Sequence, residues 1–354
     1  MVTRTLKYRE AISEGLCQAM ERDPSIFVTG IGVDYQSGVF GTTTEALKRF
    51  GPERVFESPA MENALTGICI GAAAMGKRPV IVHQRNDFMF LALDSLINLA
   101  AKWKYMYGGN AGSVPIVVRA IVGKGWGQGA THSQSLHAVL GHFPGLRVAM
   151  PATPRDAKGV LCEALADPLA SPCPTVIIEH RSLYETEGEV PERMFYDVLE
   201  CSYRSGGDLT IVAASSALLD AMKSAEVLAG YGIDAEVIGP RFIRPLYKSL
   251  IIESVRKSGR LIVADSSWEL CGFASEIADI IAENVPGTKI KRITWPDCPC
   301  PVSVELEKQF YPTAQTIVDA ALAMVGPTKR KMQAIRAMMD TPTPTLAPEF
   351  TGPY

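Results

Sequence analysis

Five short apolar segments, IFVTG (26–30), PVIVHQ (79–84), PIVVRA (115–120), RVAM (147–150) and PTVIIEH (174–180), recur with helical patterning between most of them. Strands apolar on both sides must be covered on both faces, and helical crossovers between parallel strands supply that cover. The chain begins in the same manner, because Ile12, Leu16, Ala19 and Met20 fall on one face of a helix that precedes the first strand. A second alternating series follows, with strands expected at DLTIVAA (208–214), DAEVIG (234–239), RLIVAD (260–265) and KIKRIT (289–294). Helices are expected near 217–231, around Leu250 and over 273–283. The expected architecture is therefore α/β, with two doubly wound sheet domains over 1–190 and 208–326. A polar linker at 191–207 should join them, within a stretch (185–207) rich in Gly, Pro and Glu that carries no sustained period. From 327 to 354 the Pro and Thr content of DTPTPTLAPEFTGPY opposes regular structure, and an extended tail is expected.

Length agrees with two cores, since 354 residues exceed what one core usually supports. A formal net charge of −3 with no long basic run argues against a nucleic-acid partner. The first residues lack a signal-peptide apolar core and no run of about 18 apolar residues occurs, so a soluble, cytoplasmic protein without a membrane span is expected. The eight cysteines are scattered; only Cys298 and Cys300 lie close, as C-P-C, which lacks zinc-site spacing, and reduced, mostly buried thiols are expected.

The chemistry concentrates in four stretches, in order: ESPAMENALTGICIGAA (57–73), HQRNDFMF (83–90), GATHSQS (129–135) and PGLRVAMPATPRDAKGVL (144–161). Glu62 opens a small-residue helix just after a strand end. Read alone, it either complements the helix N-terminus or serves as a positioned acid. Phe88 is either a buried corner aromatic or a stacking platform. His132, flanked by Gly127, Gly129, Ser133 and Gln134, reads as an imidazole presented by a tight loop, able to donate to an oxyanion or shuttle protons. His137 and His142, five residues apart, suit no single helical face and are read as interface or surface groups. GKGWGQG (123–129) lacks the spacing and later acid of a dinucleotide fingerprint and is read as a flexible active-site loop. Trp268 and Cys271 are taken as core or subunit-contact residues.

In order and spacing these stretches resemble the beta subunit of thiamine-diphosphate-dependent 2-oxoacid dehydrogenases, the decarboxylating component, and more distantly the pyrimidine-binding half of transketolases. The resemblance spans about residues 5–325 and includes GIDAEVIGPRFIRPL (232–246), similar to the transketolase C-terminal domain. It implies a thiamine-diphosphate pyrimidine-binding domain over 1–190 and a transketolase-type C-terminal domain over 208–326. Glu62 matches the family's activating glutamate, which shares a proton with the aminopyrimidine, and Pro59, Ala60, Met61, Ala64 and Leu65 would give it a dry setting. Phe88 matches the ring that stacks on the pyrimidine, Gln84 a cofactor-lining position, and His132 the histidine near the bound substrate. Arg85, Asn86 and Asp87 bring charge and polarity to a segment that is commonly less charged in the family, and Arg85 is a candidate substrate ligand. Thr131 stands where Gln or Tyr is more frequent.

Family members that hold the diphosphate and Mg2+ carry a G-D-G motif, and none occurs here. The resemblance therefore implies an alpha-type subunit that supplies the metal half of the site, in an alpha2beta2 heterotetramer, with a lipoyl transacylase as a further partner. The implied function is decarboxylation of a 2-oxo acid with transfer of the acyl or hydroxyalkyl fragment. A split transketolase or acyloin-forming enzyme, moving a two-carbon ketol between polar sugar-like substrates, is the alternative that Arg85, Asn86, Asp87 and Thr131 favour.

Overall fold

The computed structural model describes residues 3–124, 127–166, 173–195 and 201–326. The tail at 327–354 and two residues of the 123–129 loop lie outside them. The chain divides into two units: Met1–Lys124 with Thr131–Val198 and Phe242–Pro245, and Gly125–Ala130 with Leu199–Arg241 and Leu246–Tyr354.

The first unit is built on a seven-stranded sheet. Its strands are β2 (Ile26–Gly30), β3 (Val55–Glu57), β4 (Arg78–His83), β5 (Val117–Val122), β6 (Arg147–Ala149), β7 (Thr175–His180) and β12 (Phe242–Arg244). They are ordered β12-β6-β7-β5-β4-β2-β3, parallel except for β12 against β6. β4, β5 and β7 are buried at every position, which explains their apolar runs. On one face the Tyr8–Arg22 helix packs Tyr8, Ile12, Leu16 and Met20 against Val28, Val80, Val82, Val117 and Ile121. The Pro154–Ala164 helix starts where PATPRDAK places a capping box: Asp156 N–H donates to Thr153 Oγ1 at 3.2 Å and Thr153 N–H to Asp156 Oδ2 at 2.9 Å, with Pro154 in the first turn.

That same face holds a charged pair among apolar neighbours. In strands, residues of like parity share a face, so Arg119 of β5 and Glu179 of β7 stand on the side of Val117 and Ile177. Arg119 grips both oxygens of Glu179 at 2.6 and 2.9 Å and also donates to Thr42 Oγ1 at 3.0 Å, while Tyr184 Oη donates to Glu179 at 2.6 Å. Burial, with Glu179 beside it, pushes the Tyr184 phenol well above its ordinary range, and the Tyr8 phenol likewise.

The second unit carries a five-stranded sheet of β9 (Ser202–Arg204), β10 (Leu209–Ala213), β11 (Ala235–Ile238), β13 (Arg260–Trp268) and β14 (Lys289–Trp295), ordered β14-β13-β10-β11-β9. Only β9 runs antiparallel. Helices Ser216–Ala229, Lys248–Ser258, Phe273–Asn284 and Ala314–Val325 accompany it. Trp268 Nε1–H donates to Cys298 O at 2.9 Å and its ring meets Trp295 edge-on, whereas Cys271 is exposed.

Three features depart from the sequence reading. The polar stretch at 185–207 contains β8 (Glu187–Pro191) and β9; β8 pairs antiparallel with β1 (Thr3–Lys7), from Thr3↔Pro191 to Lys7↔Glu187. Its strand partners lie 180 to 188 residues away, where local patterning carries no signal. The residues of β12 return to the first sheet from within the second series. The third expected strand starts two residues late, at Val117, because Val114, Pro115 and Ile116 approach it as irregular chain.

Candidate active site

In doubly wound sheets ligands bind outside the carboxyl ends of the strands, where the direction of winding reverses. Here that point is β2: the chain goes from β2 to β3 on one side and then to β4 on the other. Gly30, Glu57 and His83 end these strands. Gly30 has φ +143°, and a Cβ there would lie 2.3 Å from Val82 O, so only glycine allows the two strand ends to approach. Gly32, at φ +75°, leaves room for the Gln84 side-chain amide, whose Nε2 would stand 2.3 Å from a Cβ at that position.

Glu62 is the first residue of the Glu62–Ala74 helix and is half-buried. The helix start is tied to the Asp94–Ala100 turn, where Ser95 Oγ donates to Asn63 Oδ1 at 2.7 Å. Of the neighbours expected to keep Glu62 dry only Leu65 is buried; Pro59, Ala60, Met61 and Ala64 are exposed. The apolar setting of Glu62 is thus an open surface of this chain, continued along the helix by Ile68, Gly71 and Met75. Glu57 nearby has its carboxyl pushed up by burial and then by the Asp34 carboxyl, which also accepts from Glu57 N–H at 3.4 Å.

The Phe88–Ala92 turn packs against the helix that Glu62 opens. The Phe88 ring is 42% exposed and meets His132 edge to face, with ring centroids 5.3 Å apart and planes at 87°. His132 lies in the loop after β5, its Nδ1 3.0 Å from Thr131 Oγ1 and its carbonyl accepting from Gly123 N–H at 3.0 Å. These two candidates, 44 residues apart, are brought into contact by adjacent parallel strands.

Arg85, Asn86 and Asp87 are all at least nine-tenths buried. Arg85 donates to Gln84 O at 2.7 Å and lies over the Phe40 ring at 5.6 Å; burial lowers its pKa. Asn86 N–H donates to Ile121 O at 2.8 Å and its Nδ2 to Gln134 O at 3.1 Å. Asp87 Oδ1 accepts from Gln134 N–H at 3.2 Å and Nε2 at 2.9 Å. Three contacts to one glutamine therefore clasp the loop after β4 to the loop after β5. The charge conspicuous in the sequence as QRND is spent inside the protein.

Thr29 Oγ1, Ser58 Oγ, His83 Nε2, Asn86 Oδ1, Asp87 Oδ2 and Ser133 Oγ are buried and make no hydrogen bond within the described chain. All sit at or just beyond the carboxyl ends of β2 to β5, in contrast to the rule that buried polar groups are paired. Desolvation brings the His83 imidazole down to about 4, so it is neutral at neutral pH. His137 corrects the surface reading: it is fully buried, its Nδ1 2.9 Å from Ser135 Oγ, which also lies 3.2 Å from His180 Nε2. Burial, with Lys124 and His137 nearby, holds His180 well below its ordinary pKa. His142 is exposed. The clasp and the buried histidines were missed because pairing between loops leaves no local period; the one available signal was five consecutive polar residues, HQRND (83–87), at the end of a buried strand.

The model for the transketolase pyrimidine-binding domain matches residues 4–187, and that for the transketolase C-terminal domain matches 202–317. A protein of Cupriavidus necator named acetoin:2,6-dichlorophenolindophenol oxidoreductase subunit beta is 37% identical over 335 residues, covering 90% of this chain and 97% of its own length. The protein of the same name from Bacillus subtilis is 35% identical, covering 92% and 98%. A rice pyruvate dehydrogenase E1 component subunit beta-2, mitochondrial, is 37% identical, covering 90% and 86%. The chain belongs to the family of transketolase-like beta subunits of thiamine-diphosphate-dependent 2-oxoacid dehydrogenases. A solved split gene transketolase, described as an inactive beta4 tetramer, shares the fold of this beta-subunit family, with a TM-score of 0.68 at 23% identity over 90% of this chain and 98% of that one.

Residues at the switch point suit the pyrimidine half of a thiamine-diphosphate site. A carboxylate, an uncovered aromatic face and an imidazole are held by elements that pack together, with buried polar atoms around them. Among the described residues no three His, Cys, Asp or Glu side chains gather to hold a metal.

Proposed function

We propose that this chain is the catalytic beta subunit of a heteromeric enzyme that cleaves the bond beside a 2-oxo group and passes on the acyl or hydroxyalkyl fragment. The observation that carries this reading is the meeting of Phe88 and His132 beyond the carboxyl ends of β4 and β5, beside the helix that Glu62 opens. When bound, thiamine diphosphate supplies a nucleophilic carbon that stabilises the charge left by such a cleavage. Glu62 would hold a proton between its carboxyl oxygen and the ring nitrogen of the pyrimidine. Phe88 would orient that ring by stacking, and Gln84, fixed over Gly32, would line its edge. His132 would donate from its imidazole to the substrate oxygen. Arg85, buried in the loop after β4, would contribute positive potential toward an acidic substrate.

An alpha-type subunit would supply the diphosphate and Mg2+ half, in an alpha2beta2 assembly acting in the cytoplasm, with a lipoyl transacylase as acceptor. The uncovered Met61, Ala64 and Ile68 support this, because they would become the dry wall beside Glu62 once a partner covers them. A second reading has support of its own: two relatives are named for acetoin, an acyloin, which favours cleavage or formation of an acyloin over decarboxylation alone.

The test is to co-purify the chain with its alpha partner, add thiamine diphosphate and Mg2+, and offer pyruvate, acetoin and ketose phosphates with a reducible dye. Carbon dioxide release from a 2-oxo acid supports decarboxylation. Dye reduction on acetoin without it supports the second reading. Activity with neither, in an assembled heteromer, defeats both.

A further inference from the structure

Phe88 and His132 sit on different loops: Phe88 is 42% exposed on a turn packed against the Glu62–Ala74 helix, and His132 is joined to its own loop through Thr131 and through Gly123 N–H, which donates to its carbonyl. What holds the two loops in register is the buried clasp behind them. Asp87, adjacent to Phe88, accepts from both the main chain and the side chain of Gln134, two residues after His132, at 3.2 and 2.9 Å. Asn86 closes the other side by donating to Gln134 O at 3.1 Å. Asp87 is 8% exposed, and hydrogen bonds to a buried carboxylate are stronger than neutral ones.

We propose that Asp87 is a positioning residue: acting through Gln134, it sets where the His132 imidazole stands relative to Phe88. The proposal rests on the reading of His132 as the substrate-side histidine. Only Oδ1 of Asp87 is engaged, and Oδ2 is buried without a hydrogen bond in the described chain. An amide in place of the carboxylate therefore keeps the contact through its oxygen. A carboxylate in place of the Gln134 amide puts two acids face to face and breaks it. Asp87→Asn is therefore the conservative control, because its oxygen still accepts from both the main-chain and the side-chain N–H of Gln134.

The chain has five histidines, so their imidazole proton signals can be resolved by NMR after carbon-13 labelling of histidine, with His132→Gln identifying one and Phe88→Leu giving its shift without the neighbouring ring. Asp87→Ala and Gln134→Glu should move the His132 signal to the Phe88→Leu value; Asp87→Asn should leave it near the parent. In the assembled enzyme, kcat for dye reduction on the accepted substrate should fall about a hundredfold in Asp87→Ala and Gln134→Glu with KM little changed, because a misplacement near 1 Å costs about that much. Asp87→Asn should keep it near the parent. A folded Asp87→Ala chain whose His132 signal stays at the parent value overturns the proposal. Should Asp87→Ala fail to fold, Gln134→Glu against Asp87→Asn decides in the same way, and a His132 signal that stays at the parent value in Gln134→Glu overturns it. A displaced signal with unchanged kcat supports the clasp but defeats the reading of His132 as a substrate-side group, so the two failures are distinguishable.

Discussion

Arg119 and Glu179 form a two-pronged ion pair in the middle of the first sheet, with both side chains almost fully buried and Thr42 and Tyr184 completing its hydrogen bonds. Removing one member of such a pair leaves the other charged and dry. Glu179→Ala should therefore cost about 3–5 kcal/mol of stability, measured by denaturant unfolding of the purified chain. A loss below about 1 kcal/mol, the level of a surface pair, would contradict this account.

Glu62→Gln should leave assembly with the alpha subunit intact, because Glu62 opens its helix without a side-chain capping bond. Activity of the loaded heteromer should drop by about a hundredfold or more, the usual scale of a lost acid–base group. Steady-state rates beside size-exclusion profiles read both effects. Parent-like turnover would remove Glu62 from the proton path.

Phe88→Ala takes away the exposed platform while the turn around it stays held by Asn86 and Asp87. Aromatic pairs contribute about 0.5–1.5 kcal/mol beyond area burial, so half-saturation by thiamine diphosphate should rise roughly two- to tenfold. Titration of enzyme activity with the cofactor measures it. An unchanged titration would mean that the ring does not face the pyrimidine.

His83 makes stability depend on pH below neutrality. Its pKa is about 4 in the folded chain against an ordinary 6.5, so between these values the unfolded chain takes up a proton that the folded chain does not. Stability is full above about pH 6.5 and declines as pH falls toward 4. From pH 7 to 5 the loss assigned to this one group is about 2 kcal/mol. Urea unfolding at the two pH values, compared with His83→Leu, isolates it. Parallel losses in both proteins would show that His83 titrates normally.

The sheet strands were legible because burial on both faces leaves uniform apolar runs, and this signal sufficed for β2, β4, β7, β10, β11 and β13. β8 and β9 were not, because most of their residues are exposed or half-buried and so leave no uniform apolar run. Among the site residues, the identities of Glu62, Phe88 and His132 came from motif order, and the meeting of Phe88 with His132 required the parallel pairing of β4 with β5.

Local order in the sequence thus determined which residue types stand at the strand ends, since strand, turn and helix onset are set by neighbours a few positions away. The tertiary structure alone decided that Arg85, Asn86 and Asp87 are buried, that Gln134 joins two loops, and that the wall beside Glu62 lies open. Each depends on partners distant in the chain, and whether a polar group faces a substrate or another loop is settled by what folding brings against it.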